Sequence, residues 1–254
     1  MIDRIDPSVL VDQKIVSCTE WYGDERGRTV YFNLQGLPHY YLFPADVLDT
    51  NSNLIHGDFG KREFVYDRNG NLIESIMSCY EPTLDSSVAM TFIKNYYNDN
   101  LIVKREYFDS PKSKPTAVTY IYDSNLLIEE KKTQADSSLI VSTGEKFKEE
   151  SKEYRYDDSQ RLTTILSYRE TRLLDSTSVT YHGNTKTWTT FNSNNQEILT
   201  VKSKYDSLNR EVERIYPDQR VVKWYYTENG LLDLIEYTYL KTGEIRRTKF
   251  TYEK

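Results

Sequence analysis

Three histidines are the first candidates for chemistry in this chain, because histidine is the side chain that most readily exchanges protons near neutral pH. They are His39, His56 and His182. None of them belongs to a recognisable catalytic motif, such as a nucleophile elbow or a zinc-protease helix. Acid–base catalysis needs a small set of convergent groups. The sequence therefore predicts no catalytic residue and a protein that is not an enzyme.

Carboxylate pairs are the second candidate, since two carboxyl groups flank the bond that a glycosidase cleaves. The chain has 39 acidic residues, which are too many to single out a pair. Cross-strand pairing of Glu with Lys explains runs such as Lys146 to Lys152 without a site. A carboxylate-dependent hydrolase therefore ranks last among the hypotheses for function.

Two oxygen-rich loops have side chains of the kind that bind calcium. They run from Asp67 to Asn71 and from Asp49 to Asn53. An EF-hand loop would end on a Glu at its twelfth position, where Ser78 and Gly60 stand instead. Ordinary turn chemistry explains both loops, so the sequence predicts neither a bound metal nor a cofactor.

Aromatic residues are the one set that could bind a ligand, by stacking on sugar rings or on a partner protein. The candidates for ligand stacking are Trp21, Trp188, Trp224 and Tyr226. Repeated Tyr at strand ends is explained more simply as a packing ladder between hairpins, because large buried rings usually serve packing. The predicted partner is an unknown protein or glycan.

The stretch from Phe64 to Ile76 predicts the element that would position these residues. An alternating strand leads up to Tyr66. Asp67 can accept hydrogen bonds from backbone amides two residues on, and Asn69-Gly70 tolerates the positive φ of a tight turn. Alternation resumes at Leu72, so the stretch reads as a β-hairpin.

Looser copies of this hairpin recur along most of the chain. Their first aromatic residues are Tyr156, Tyr205, Tyr226 and Tyr239, with weaker matches at Phe32, Tyr97, Tyr122 and Phe191. Gly, Asn or Gln fills the position of Gly70, and Gly and Asn adopt positive φ most easily. The series predicts an array of successive β-hairpins.

The motif Tyr-Asp-x-x-Gly-x-Leu, complete only from Tyr66 to Leu72, resembles the YD repeats of bacterial Rhs and teneurin-like proteins. The Arg that commonly follows the turn in that family stands only at Arg161 and Arg210. The resemblance covers roughly residues 30–252. It implies a secreted or surface-displayed hairpin array that serves as a shell, spacer or adhesion surface and has no common catalytic residues.

This resemblance favours a non-enzymatic structural or interaction module at a bacterial cell surface. The alternative is a carbohydrate- or peptide-binding module that uses an aromatic face of the sheet. The two hypotheses differ in whether tryptophan and tyrosine rings are exposed in a groove or buried between hairpins.

Composition limits the class of partner. The net charge is −6 and the basic residues are spread among acidic ones, whereas a nucleic-acid groove needs a basic stripe. We therefore expect no nucleic-acid partner. No apolar run approaches the roughly 20 residues that span a bilayer as a helix, so we expect no transmembrane segment.

The amino-terminal sequence lacks the apolar centre of a signal peptide. Either the protein is cytoplasmic or a secretion signal is missing from this sequence, and the family resemblance favours export to the cell surface, the periplasm or the medium. Cys18 and Cys79 are the only cysteines. A single disulfide is one interpretation, and two unpaired thiols are the favoured one.

The predicted fold is all-β, with antiparallel hairpins in a long twisted and curved meander sheet that is open or partly closed, and with little helix. Residues 1–60 form an irregular part with one or two hairpins, and residues 61–254 form the hairpin array. Val9 to Val16 is predicted as a short strand, 46–59 as irregular, and Ser86 to Tyr97 as either helix or strand. The two ends of the array are predicted to be open edges.

Overall fold

Antiparallel strands make up almost all of the part of the chain that the computed structural model describes, which is residues 7–22, 25–48, 54–81, 86–108, 115–133 and 149–254. One short helix, α1, spans Pro7–Asp12. The strands are β1 (Ser17–Tyr22), β2 (Glu25–Phe32), β3 (Pro38–Leu48), β4 (Leu54–Tyr66), β5 (Leu72–Glu81), β6 (Ser86–Asn98), β7 (Leu101–Tyr107), β8 (Thr116–Asp123), β9 (Leu126–Thr133), β10 (Glu149–Tyr156), β11 (Leu162–Arg169), β12 (Arg172–His182), β13 (Thr185–Asn192), β14 (Glu197–Tyr205), β15 (Glu211–Ile215), β16 (Arg220–Tyr226), β17 (Leu232–Tyr239) and β18 (Glu244–Glu253). The predicted all-β class is confirmed.

The eighteen described strands form one hydrogen-bonded sheet in which neighbours in sequence are neighbours in space. Strand β1 pairs with both β2 and β18. Cys18 of β1, for example, lies opposite Val30 of β2 and Tyr252 of β18. The strand order is therefore a ring, and the sheet is a closed antiparallel barrel.

The prediction of an open or partly closed meander with two free edges is wrong. In the closed sheet, the backbone N–H and C=O groups of the first and last strands pair with each other, which removes the edges. The alternation of side chains along a strand is the same in an open and a closed sheet. The sequence pattern therefore does not distinguish the two.

Two local predictions are also wrong. The segment Val9 to Val16 begins in helix α1 rather than in a strand, and Pro7 stands at its first position, where proline is well tolerated. The described part of segment 46–59 is strand rather than irregular, with Val47 of β3 opposite Ile55 of β4. The ambiguous segment from Ser86 to Tyr97 is a strand.

The chain divides into two compact units. Unit 1 comprises Met1–Phe92, Arg210–Arg214 and Gln219–Lys254, and unit 2 comprises Ile93–Asn209 and Ile215–Asp218. Among the described residues, all but two of the buried hydrophobic side chains belong to unit 1. They are Leu10, Ile15, Cys18, Val30, Val222, Trp224, Leu231, Leu232, Ile235 and Phe250. Unit 1 thus has an apolar core that unit 2 largely lacks.

Helix α1 lies against two hairpin turns of unit 1. A Cβ atom at Gly36, where φ is +71°, would collide with the carbonyl oxygen of Pro7. Any other residue would therefore clash with the backbone of the helix. A Cβ atom at Gly230 would lie 3.7 Å from Val9 Cγ2. This close approach leaves Leu10 only 1% exposed.

Six turns share one construction, in which the amide of the fourth residue donates to the carbonyl of the first. The fourth residues all have positive φ and are Gly36, Gly70, Gln160, Asn195, Asn209 and Gly230. In the turn at Asp157, the carboxylate also accepts the amides of Ser159 and Arg161 at 3.0 and 2.9 Å. The predicted backbone conformation of the glycine position is confirmed.

A hydrogen bond outside the backbone ladder also recurs, and we call it the tyrosine clamp. In each case a Tyr at or next to the end of an even-numbered strand donates its hydroxyl to a carbonyl at or next to the start of the preceding strand. The five pairs are Tyr66–Pro38, Tyr156–Leu127, Tyr181–Leu162, Tyr226–Glu211 and Tyr252–Leu232. The clamp fixes the register of the two strands at the end where they would fray.

Cys18 is an unpaired, fully buried thiol next to the last of these clamps. Burial raises its pKa from 9.0 to about 12, against a smaller opposite effect of its hydrogen bond with Tyr252. The side chain of Cys79 lies outside the described part of the structure. The thiol of Cys18 is therefore neutral and sequestered at physiological pH.

Removing one clamp hydroxyl gives the first prediction. We expect Tyr156→Phe to lower the free energy of unfolding by about 1 kcal/mol, because a half-buried hydrogen bond to the Leu127 carbonyl at 2.9 Å is lost. Urea denaturation measures the change. Tyr225→Phe is the matched control, since Tyr225 is 41% exposed and belongs to no clamp. An equal loss in both variants would contradict a specific role for the clamp.

The turn conformation gives the second prediction. Gly70 has φ +84°, and a Cβ there would meet only Leu37 Cδ1 at 3.6 Å. Gly70→Ala should therefore destabilise the protein through backbone strain alone, by about 1 kcal/mol. Gln160→Gly should act in the opposite sense, raising the free energy of unfolding by roughly 0.5 kcal/mol after the entropy of the unfolded chain is counted. Effects of the same sign in urea denaturation would refute the argument.

The buried thiol gives the third prediction. Since the pKa of Cys18 is raised in the folded state, the unfolded chain loses this proton first as the pH rises. Its contribution to stability is complete below about pH 9 and is lost between about pH 9 and about pH 12, at roughly 1 kcal/mol per pH unit. We expect Cys18→Ala to show a shallower alkaline decline in urea stability than the unmodified chain. Parallel declines would show that another group dominates.

Candidate functional site

One face of strands β9 to β12 in unit 2 has polar side chains in register. Lys152 of β10 lies opposite Glu130 of β9 and Ser167 of β11, and Ser167 lies opposite Asp175 of β12. Adjacent strands are about 4.8 Å apart. The row therefore brings two carboxylates, one ammonium group and one hydroxyl to the same face, with neighbouring members of the row about 5 Å apart.

A second row lies two residues further along the same face. Glu150 of β10 is opposite Lys132 of β9 and Arg169 of β11. Its Oε2 lies 3.6 Å from Lys132 Nζ, and its Oε1 lies 3.6 Å from Arg169 Nη2. These side chains are well exposed, so each pair contributes less than about 1 kcal/mol to stability. In these pairs two cations share one carboxylate.

Apart from Arg169, the residues of the two rows line a cavity of about 600 Å³. Tyr107 and Val118 provide apolar surface on one side. On the other side the register between β11 and β12 shifts after Ser167, which leaves Leu174 outside the ladder. Because a bulge redirects side chains, this irregularity explains why Tyr168 and Leu174 both line the cavity.

Two tyrosines on this face remain protonated at neutral pH. Tyr154 donates its hydroxyl to Glu130 Oε2 at 3.1 Å. Burial, followed by the negative charge of Glu130, holds the pKa of Tyr154 well above its ordinary value of 10. Burial likewise raises the pKa of Tyr120 to about 12. Neither phenol can therefore act as a base at neutral pH.

Two charged groups of the cavity stand apart from these pairs. Neither the ammonium group of Lys152 nor the carboxylate of Asp175 has a hydrogen-bond or ion-pair partner among the residues that the structure describes. Lys152 is exposed, Asp175 is half-buried, and both line the cavity. The site thus offers one free positive and one free negative charge, two strands apart.

The opposite face of unit 2 is also charged. Lys104 pairs with Glu106 at 2.7 Å, and Lys131 pairs with Glu129 at 3.1 Å. Further polar residues in register on this face are Arg155, Ser176, Ser178, Thr187, Thr189, Lys202 and Lys204. Both faces of these strands therefore suit contact with water. No helix in the described ranges is long and apolar enough to cross a membrane.

The aromatic residues predicted to stack on a ligand are already engaged where the structure describes them. Trp224 is 7% exposed, with Arg214 Cζ 5.8 Å from its ring centroid. Tyr226, two residues further along the same face, forms a clamp. Trp188 of unit 2 is half-buried beneath Lys186 Nζ at 5.3 Å. The side chain of Trp21 lies outside the described residues.

The other sequence candidates form no site. Asp67 accepts hydrogen bonds from the amides of Asn69 and Asn71 and from the Asn71 side chain, so its carboxylate serves the turn. The described residues contain no cluster of three potential metal ligands. His39 lies edge-on to Tyr40, and His182 is exposed at a turn. The loop 49–53 and the His56 side chain lie outside the description.

The cavity residues Lys152 and Asp175 were missed by sequence reasoning. Alternation along each strand shows which face a residue occupies. It does not show which residues of neighbouring strands lie opposite one another, because that depends on loop lengths and bulges. The only sequence signal was the density of charge from Lys146 to Lys152, which cross-strand pairing also explains.

Comparison with known proteins shows similarity of fold. No protein-family model matches the chain, and no curated protein matches it significantly in sequence. A porin-like protein from Bacteroides uniformis ATCC 8492 has a similar structure with a TM-score of 0.50 at 9% identity, over 94% of this chain and 96% of that protein.

Two further solved structures show weaker likeness. A porin-like protein from Bacteroides vulgatus ATCC 8482 has a TM-score of 0.41 at 12% identity, over 83% of this chain and 98% of that one. A chain of the TcdB2-TccC3-Cdc42 structure has a TM-score of 0.31 at 8% identity, over 95% of this chain and 12% of that one. The similarity to the Bacteroides uniformis protein, at 9% identity, concerns the fold alone, so the function is argued from the site.

Proposed function

We propose that this chain is a non-enzymatic structural and interaction module, built from YD-type hairpins and exported by a bacterium. The observation that supports it best is the polar character of both faces of unit 2. A strand face against lipid is a band of apolar residues, whereas ion pairs such as Lys104–Glu106 occupy the face opposite the cavity. Such strands suit a shell or spacer in an aqueous compartment.

The arginines that match the YD family pattern support the same proposal. Arg161 follows a turn and places its guanidinium 5.2 Å from the ring centroid of Tyr181, at the end of the next hairpin. Arg210 does the same with Tyr226 at 4.3 Å. Cation–π contacts of this kind stabilise by about 0.5–1 kcal/mol at exposed sites. In both places the turn Arg and the clamp Tyr link successive hairpins.

The interactions of two cavity carboxylates, Glu130 and Glu150, support the proposal that the protein is not an enzyme. Glu150 interacts with two cations, and Glu130 accepts a hydrogen bond from a phenol whose pKa is raised. Both act as acceptors in a structural network. The similarity in fold to a porin-like protein supports a location outside the cytoplasm and a non-enzymatic role.

Behaviour towards membranes tests this proposal. We expect the purified chain to remain monodisperse without detergent, to stay behind when phosphatidylethanolamine–phosphatidylglycerol vesicles are floated, and to give no conductance across planar bilayers. A bona fide outer-membrane porin serves as the positive control. Co-flotation with stepwise conductance would refute the aqueous module, and cellular fractionation that recovers the protein only in the cytoplasm would refute export.

A further inference from the structure

We propose that the cavity of unit 2 binds a zwitterionic ligand of dipeptide size, with the ligand carboxylate on Lys152 and its ammonium group on Asp175. This inference goes beyond the structural role and does not depend on it. It assigns the binding of short peptides to a site whose lining comes from β7 to β12.

The charges of the lining favour a zwitterion over a simple anion or cation. Glu150 pairs with both Lys132 and Arg169, and Glu130 accepts the hydroxyl of Tyr154. Within the described residues, Lys152 and Asp175 are the charged lining groups whose side chains have no hydrogen bond or ion pair. A phosphate or sulfate would meet Asp175 and be repelled. A ligand with one charge of each sign would satisfy both.

The spacing sets the length of the ligand. Lys152 and Asp175 are separated by the strand that bears Ser167, so their Cα atoms are about 10 Å apart. They form no ion pair with each other, so both remain available to a ligand that spans the gap. Two extended residues span about 7 Å, which suits this gap once both side chains lean inward. Ser167 lies between them, and its hydroxyl can donate or accept towards the peptide bond.

The remaining lining suits the side chains of such a ligand. The volume of about 600 Å³ lies within the ordinary range of small-molecule sites, about 300–1,000 Å³. Tyr107, Val118, Tyr168 and Leu174 provide apolar surface around the charged row. A dipeptide with branched apolar side chains therefore matches the cavity better than a sugar without charge.

Titration calorimetry of the full chain with Leu-Leu tests the proposal. Two probes of nearly equal size dissect it: N-acetyl-Leu-Leu lacks the ammonium group, and Leu-Leu amide lacks the terminal carboxylate. We expect Leu-Leu to bind with saturation and each blocked peptide to bind about ten- to hundredfold more weakly, as the loss of a charged hydrogen bond implies.

Two substitutions assign the ends of the ligand. Asp175→Asn should weaken the binding of Leu-Leu about tenfold or more. This variant should bind Leu-Leu and N-acetyl-Leu-Leu equally well, and it should still bind Leu-Leu more tightly than Leu-Leu amide. Lys152→Met should bind Leu-Leu and Leu-Leu amide equally well, and it should still bind Leu-Leu more tightly than N-acetyl-Leu-Leu. Lys204→Met, an exposed lysine on the opposite face, should bind like the unmodified chain. Urea midpoints of all variants show whether the fold is intact.

Three results would overturn the proposal. They are the absence of saturable Leu-Leu binding at millimolar concentration, equal binding of Leu-Leu and both blocked peptides, and unchanged affinity in the folded Asp175→Asn and Lys152→Met variants. A variant that loses its urea transition is replaced by the charge-preserving Asp175→Glu or Lys152→Arg. If Asp175→Glu or Lys152→Arg keeps part of the preference for Leu-Leu over the blocked peptides, the assignment is supported. If it binds Leu-Leu as tightly as the unmodified chain does, the assignment is contradicted.

Discussion

The tyrosine clamp is the interaction on which the arrangement of hairpins depends. A β-hairpin on its own is marginally stable, and its ends fray. In this chain a phenol at one strand end donates to a carbonyl at the start of the preceding strand, as Tyr66 does to Pro38 at 2.8 Å. The ring is half-buried while the hydroxyl satisfies a backbone acceptor. One residue type thus provides both packing and register at the end of a strand.

The clamps also help to stabilise a chain in which few of the described hydrophobic side chains are buried. Unit 1 has Leu10, Leu232 and Ile235 almost fully buried. In unit 2, among the described residues, Val118 and Val179 are the buried hydrophobic side chains. Its strands are held by backbone ladders, clamps at Tyr156 and Tyr181, and weak surface ion pairs. Because those terms are individually small, unit 2 depends on their regular repetition.

Sequence reasoning succeeded where the structure is determined locally and failed where it depends on distant partners. The positive φ at Gln160, Asn195 and Asn209 follows from turn chemistry within five residues. The closure of the sheet depends on β1 meeting β18, whose partners Cys18 and Tyr252 are far apart in sequence. Helix α1 depends on tertiary packing that overrides the strand preference of its valines.

The same division applies to the candidate site. A repeat that alternates polar and apolar positions predicts that charges will face one another across strands. This accounts for Lys132, Glu150 and Arg169, which pair with one another across the strands. It does not account for Lys152 and Asp175, which lie in the same register on the same face and form no ion pair with another described residue. In a protein whose stability comes from repeated small interactions, function is best sought at the positions where the repetition leaves a charge unmatched.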